Sequence, residues 1–195
     1  MGRVTNIILT GVGGQGILLA SEIISEGAVQ AGYDVKKSEI HGMSQRGGSV
    51  NSHVRFGEKV YSPLVMKGDC DLLLAFEKLE ALRMADFVKE EGSLVVNDQR
   101  INPSTVISGA ATYPENIERI LSTHFRSVVF VDALKIAETV GNLRTANTAL
   151  LGVASELLDI PVEIWEDAII RKVPKRAVEV NLKAFRMGLQ MAQSM

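Results

Sequence analysis

Hydrophobic residues arrive along this chain in two rhythms. Val4-Thr5-Asn6-Ile7-Ile8-Leu9 is a short β-branched and apolar run that stops at Gly11, and over residues 17–29 apolar side chains recur at helical spacing. The pattern predicts a strand, a glycine turn and a helix. Gly32 ends that helix, and Tyr33-Asp34-Val35-Lys36 reads as a second strand. Val50, Ser52, Val54 and Phe56 then alternate with Asn51, His53 and Arg55, a period of two. Gly57-Glu58 offers a turn that returns the chain through Lys59-Val60-Tyr61.

Further strand-like runs occupy residues 72–75, 93–97 and 127–131, with helical stretches between and after them. Residues 161–195 read as helix, with Ile164 and Ala168, then Val180, Ala184, Met187 and Met191, three or four apart; such a stripe makes core or a subunit interface. Strands alternating with helices imply a mainly parallel sheet covered on both faces. Neither an internal repeat nor a shift in composition divides the chain. The expected fold is α/β: one three-layer domain over residues 1–195, Rossmann-like, with helices on both faces and a helical C-terminal tail.

Charge narrows the partners. The 21 basic residues nearly balance the 23 acidic ones, and neither sign forms a block, which argues against a nucleic-acid partner. The opening MGRVTNIILTGVGG lacks the apolar core and cleavage site of a signal peptide. No run approaches the roughly 18 apolar residues of a membrane span. The expectation is a soluble cytoplasmic protein without a membrane partner. Cys70 is the one cysteine, so there is no internal disulfide and no thiolate set for an iron–sulfur cluster; beside Leu72-Leu73-Leu74 it reads as a core side chain rather than a nucleophile.

Two segments carry candidate chemistry. Gly11-Val12-Gly13-Gly14-Gln15-Gly16 matches G-x-G-x-x-G directly after a strand and before a helix. Glycines there let backbone N–H groups and the helix dipole meet an anion such as phosphate; they also let the helix pack closely on the sheet, and both readings stand at this point. A dinucleotide site also wants an acidic residue at the end of the second strand, about 20 residues on. Asp34 starts its strand and Glu39 falls in the polar segment beyond, so NAD is not favoured.

That polar segment, residues 38–48, is glycine-rich and free of proline, and is expected to be an ordered loop. It gathers His41, Ser44, Gln45, Arg46 and Gly47, with Arg46 supplying a planar fork of donors. An anion or polar-ligand site and a loop that satisfies its own backbone are equal readings. His41 has no second histidine or carboxylate at ligand spacing and reads as a structural hydrogen-bonding group; His53 on a strand and His124 near a helix end join no constellation, and no metal site is expected.

Taken together, the glycine turn and Ser38-Glu39-Ile40-His41-Gly42-Met43-Ser44-Gln45-Arg46-Gly47-Gly48-Ser49-Val50 resemble the gamma domain of the pyruvate/2-oxoacid:ferredoxin oxidoreductase family, and within it the small subunits that serve indolepyruvate. The likeness continues through Gly141-Asn142, Arg144, Asn147 and Leu151-Gly152. The resemblance implies a subunit, inactive alone, of an enzyme that converts a 2-oxoacid to acyl-CoA and CO2 and passes electrons to ferredoxin. It implies that thiamine diphosphate, magnesium and iron–sulfur clusters sit on larger partner chains, and that coenzyme A is the ligand nearest this one. Carried onto this sequence, Gly11, Gly13, Gly14, Gln15 and Gly16 would form the anion-binding turn, Ser44, Gln45, Arg46 and Gly47 the facing loop, and Asn147 a further contact or a brace. No catalytic residue is assigned. Isolated from its partners, the chain can pair as a homodimer. The competing readings are a free-standing NAD(P)-binding dehydrogenase and a scaffold subunit that binds nothing.

Overall fold

Alternating side chains on the central strands divide the interior into two cores. In a computed structural model, which describes residues 3–41 and 48–195, Ile7 and Leu9 face one layer and Ile8 the other. Leu72 and Leu74 are likewise opposed by Leu73 and Ala75, and Val95 by Leu94 and Val96. Strands buried on both faces read as near-continuous apolar runs, which is why these three stand out in the sequence.

The elements run in the order β1 (Val4–Val12), α1 (Ile17–Gln30), β2 (Asp34–His41), β3 (Ser49–Gly57), β4 (Cys70–Ala75), α2 (Lys78–Met84) and β5 (Val88–Asn97). Next come α3 (Ser104–Ile107), α4 (Ile117–His124), β6 (Ser127–Val131), α5 (Ala133–Val140), α6 (Ala146–Ser155), α7 (Val162–Lys172) and α8 (Val178–Gln193). The sheet order is β2-β3-β1-β4-β5-β6. β1, β4, β5 and β6 are mutually parallel, as expected, whereas β3 is antiparallel to both β1 and β2. Side chains of α1, α5, α6, α7 and α8 cover one face, and those of α2 and α4 the other, completing three layers. The C-terminal stripe is core in part: Ala168 and Ala184 are buried and Ile164 and Met191 pack against them, Val180 and Met187 are only partly buried, and Phe185 and Leu189, outside the stripe, complete the buried face of α8.

Two local expectations are corrected. The second strand is longer than Tyr33-Lys36 and takes residues 38–41 from the segment read as loop. Pairing decides this: Ser38 lies opposite His53, Glu39 opposite Ser52 and His41 opposite Val50, and a ladder to β3 outweighs local polarity. Residues 59–61 do not return as a strand. The Asp34 carboxylate accepts the Val60 N–H at 3.0 Å, and the Arg55 guanidinium donates to the carbonyls of Ser62 and Leu64 at 3.0 and 3.1 Å, so side chains and not a ladder hold this stretch. Cys70 is fully buried, and burial pushes its thiol up to about 12, in keeping with a core role. Among the described residues no helix is long and apolar enough to cross a membrane.

Candidate functional site

From β1 the chain crosses by α1 on one face, and from β4 by α2 on the other, so the carboxyl ends of β1 and β4 lie at a topological switch point, the place where open α/β sheets bind ligands. The glycine turn is there. Gly11 is the penultimate residue of β1, and the Gly13 N–H donates to the Gly48 carbonyl at 3.0 Å, joining the turn to the stem of β3. Gly16 caps α1 at φ 80°, a left-handed conformation that glycine adopts without strain. With no side chain there, Gly16 itself offers no capping oxygen to the first-turn N–H groups of α1, and none is supplied among the described residues.

Gln15 holds the turn to the rest of the site. Its Oε1 accepts the Val12 N–H at 2.7 Å, and its Nε2 donates to the Phe76 carbonyl at 2.7 Å and to Gln99 Oε1 at 2.9 Å. Asn97, buried at the end of β5, donates through Nδ2 to the same two oxygens at 3.1 and 3.0 Å and accepts the Ala133 N–H of α5 through Oδ1 at 3.2 Å. Backbone partners thus fix the orientation of Gln15 and Asn97, and both present donors to Gln99. The Gln99 oxygen must face them, which leaves its Nε2 without a hydrogen bond among the described residues.

These amides floor a cleft of about 580 Å³ between the glycine turn and α6. Leu19, Phe76, Leu134, Leu143 and Leu150 supply its apolar wall. Among the described residues, Arg144, exposed at the rim, is the one charged residue lining it, and no carboxylate does. Asn147, buried on α6, donates through Nδ2 to the Gly16 carbonyl at 3.3 Å.

Beside the cleft is a pair of buried carboxylates. Glu77 caps α2 by accepting the Glu80 N–H at 3.0 Å, and its other oxygen accepts the Tyr113 hydroxyl at 2.5 Å and the Ile101 N–H at 3.1 Å. Glu80 accepts the Ser49 hydroxyl at 2.5 Å and lies 3.1 Å from the Arg83 guanidinium. Burial raises the Glu80 pKa above the ordinary carboxylate range, with Ser49 and Arg83 opposing. Burial, and then the Glu77 carboxylate, raise that of the Tyr113 phenol.

The structure therefore brings Gly11, Gly13, Gly14, Gln15, Gly16 and Asn147 together at one end of the sheet. Ser44, Gln45, Arg46 and Gly47 lie outside the described residues; of their described neighbours in the chain, Gly48 accepts the Gly13 N–H of the turn, and His41 ends β2 opposite Val50, with β3 between it and β1. Asp34 is not part of the site. It starts β2 opposite Gly57, at the far end of the sheet, and its carboxylate is held down to about 2 by Lys36, the Val60 N–H and Lys59. Asn97, Gln99 and Arg144 line the cleft although the sequence does not mark them as ligand contacts. The first two are within reach of a simple rule, to look at the residues that end and succeed each parallel strand, since the carboxyl ends face the ligand.

Residues 6–191 match the family described as pyruvate ferredoxin/flavodoxin oxidoreductase. The chain is 43% identical over 195 residues to the indolepyruvate oxidoreductase subunit IorB of Pyrococcus horikoshii, with 97% of this chain and 96% of that protein covered. It is 41% identical over 195 residues to the subunit of the same name from Thermococcus kodakarensis, covering 97% and 96%. Among solved structures, the gamma subunit of a keto/oxoacid ferredoxin oxidoreductase from Geobacter sulfurreducens PCA has the same fold, with a TM-score of 0.73 at 27% identity over 98% of this chain and 99% of that one. A free-standing dehydrogenase and a bare scaffold do not fit these likenesses. With the sequence match running almost end to end and the fold shared with a gamma subunit, the chain belongs to the pyruvate ferredoxin/flavodoxin oxidoreductase family, as a gamma-type small subunit of a 2-oxoacid ferredoxin oxidoreductase.

Proposed function

We propose that this chain serves an indolepyruvate-type 2-oxoacid ferredoxin oxidoreductase by binding part of coenzyme A in the cleft between the glycine turn and α6. One observation carries the reading: the Gln99 Nε2, the Arg144 guanidinium and the uncapped start of α1 border the same cleft, and no carboxylate among the described residues lines it. Donors without acceptors select an anionic ligand, and the leucine wall suits an apolar arm attached to it. Phosphate oxygens would meet the turn and Arg144, and the pantetheine chain would lie along Leu134, Leu143 and Leu150. A nicotinamide dinucleotide is disfavoured by the same inventory, because its ribose hydroxyls want an acidic side chain that the cleft lacks.

Larger partner chains would carry thiamine diphosphate, magnesium and the iron–sulfur clusters, and electrons would reach ferredoxin through them. Thiamine diphosphate supplies the decarboxylation chemistry when bound. The role of this chain is to hold and orient the acyl acceptor. The indolepyruvate assignment rests on the names of the relatives at 41% and 43% identity, and a cytoplasmic location accompanies it.

The test is steady-state kinetics of the reconstituted complex with Arg144→Ala and, separately, Gln99→Ala, using indolepyruvate and smaller 2-oxoacids. Removing a charge-assisted contact costs about 1.5–3 kcal/mol, so the KM for coenzyme A should rise roughly ten- to hundredfold with Arg144→Ala. The KM for the 2-oxoacid should stay put. An unchanged coenzyme A KM in both variants removes the cleft from the reaction. Arg46→Ala in the same assay asks whether residues 44–47 contribute a second cation.

A further inference from the structure

The two edges of the sheet are built differently. β2, at one edge, carries Asp34, Lys36, Lys37 and Glu39, charges that discourage pairing with another strand. β6, at the other, reads Ser-Val-Val-Phe-Val, with neither charge nor proline. Val128, Val129 and Phe130 remain half-exposed. The Val131 carbonyl accepts the Asp98 N–H at 2.8 Å, so Val131 turns its backbone groups toward β5. By the period of two, Val129 and Ser127 do the same, and Val128 and Phe130 turn theirs outward.

Charges bracket this edge in opposite senses. Arg126 precedes β6 and Asp132 succeeds it, and neither has an ion-pair partner among the described residues. Asp132 uses one oxygen to accept the Lys135 N–H at 3.0 Å, capping α5. An antiparallel copy of the strand related by a two-fold axis through Val129 sets Val128 opposite Phe130, the pair whose backbone groups face outward. The same operation sets Arg126 of each copy opposite Asp132 of the other. Moving the axis by one residue, to Val128, places Arg126 opposite Phe130 and loses both charge pairs.

We propose that β6 is a self-complementary edge at which two copies of this chain join, antiparallel and centred on Val129, into one continuous sheet. The occupant is a second copy because the charge order along the edge is its own complement under that axis. Val128 then packs beside Phe130 across the seam on the face of α4, and the two Val129 side chains meet on the opposite face. Arg126, Val128, Val129, Phe130 and Asp132 are not among the residues that line the Gly16–Asn147 cleft, so this contact is argued without the coenzyme A reading.

The test is sedimentation of the full chain, which should run at twice the chain mass. Arg126→Glu creates two like-charge pairs and should raise the dimer dissociation constant about tenfold or more; the double change Arg126→Glu with Asp132→Arg should restore it. The swap removes the α5 cap, so circular dichroism accompanies it, and a second probe avoids that site. In Val129→Cys the two introduced thiols face each other across a non-hydrogen-bonded pair, with Cα atoms about 4.5 Å apart, within disulfide range. In Val128→Cys the thiol faces Phe130 instead. Oxidation should link two copies of the Val129→Cys variant and not of the Val128→Cys variant, and the buried Cys70 does not compete. A monomeric wild type overturns the proposal. So does a dimer indifferent to Arg126→Glu, a Val129→Cys variant that stays uncrosslinked, or residues 128–130 protected only when the larger subunit is present.

Discussion

The side-chain nitrogen of Asn147 donates to the Gly16 carbonyl at 3.3 Å, tying the second residue of α6 to the cap of α1 across 131 positions of sequence. A Cβ on residue 16 would lie 2.6 Å from that nitrogen, and φ there is 80°. The glycine is therefore required twice, by conformation and by approach. Gly16→Ala should destabilise the fold by about 2–4 kcal/mol, of which the left-handed backbone accounts for about 1–2. Asn147→Ala alone, which removes the tie between α6 and the turn but leaves the Gly16 carbonyl its Ala20 N–H at 3.0 Å, should cost about 0.5–1.5 kcal/mol. Because the second change removes the clash, Gly16→Ala should cost less in the Asn147→Ala background. Urea unfolding of the four proteins measures the coupling, and strict additivity would show that the two residues do not act on each other.

Gln15 donates to the Phe76 carbonyl and accepts from the Val12 N–H, two roles that an amide fills together at any pH and a carboxyl only when protonated. Gln15→Glu keeps the acceptor and turns the donor into a second acceptor facing two oxygens. At neutral pH the change should cost about 2–3 kcal/mol. The new carboxyl is stabilised in its protonated form, which donates to Phe76, so its folded pKa should be raised. Its contribution is then present at low pH and lost as pH rises through that folded value. Relative to wild type, Gln15→Glu should therefore recover stability on acidification, as read by urea midpoints. A pH-independent difference would mean that the amide network does not hold the turn.

Much of this arrangement can be read from the chain because it is local. The β-branched run before Gly11, the helical spacing after Gly16 and the apolar runs of β4 and β5 each depend on near neighbours. The features that escape such a reading are set by distant partners. Residues 38–41 look like loop because their polarity is plain and their pairing with β3 is not. Residues 59–61 look like a returning strand because nothing nearby reveals that Asp34 will take the Val60 N–H and that Arg55 will hold the carbonyls just beyond. Gln99 is an ordinary glutamine until the sheet order sets it 2.9 Å from Gln15, 84 residues earlier. The glycine turn is visible because its requirement is backbone geometry; the cleft floor is invisible because its requirement is topology.

Glu80 joins α2 to the first residue of β3 through the Ser49 hydroxyl. Burial raises its pKa, so the folded protein holds a proton that the unfolded chain has released. Between the ordinary carboxylate value and the raised one, this residue makes stability fall as pH increases. Glu80→Gln retains an acceptor for Ser49 and cannot ionise, so it should flatten that part of the profile and leave neutral-pH stability equal or higher. Urea midpoints from about pH 5 to 8 decide it. A parallel profile in the variant would show that the carboxyl does not titrate with folding.

His53 acts in the opposite sense. Its Nδ1 accepts the Val65 N–H at 3.1 Å, its Nε2 is buried without a partner among the described residues, and Phe87 packs edge-on at 6.2 Å. An imidazolium there would lose the acceptor that Val65 needs, and burial depresses the pKa below the ordinary histidine value. Stability from this group is present above about pH 6.5 and lost as pH falls below it, because the unfolded chain binds a proton that the fold refuses. His53→Gln can keep an acceptor for Val65 without titrating, so it should lessen acid sensitivity. Wild type sums the two slopes, and where their ranges overlap they cancel. The paired variants separate them: relative to wild type, Glu80→Gln should tilt stability upward with increasing pH and His53→Gln downward. Profiles that move in the same direction would remove one of the two groups from the account.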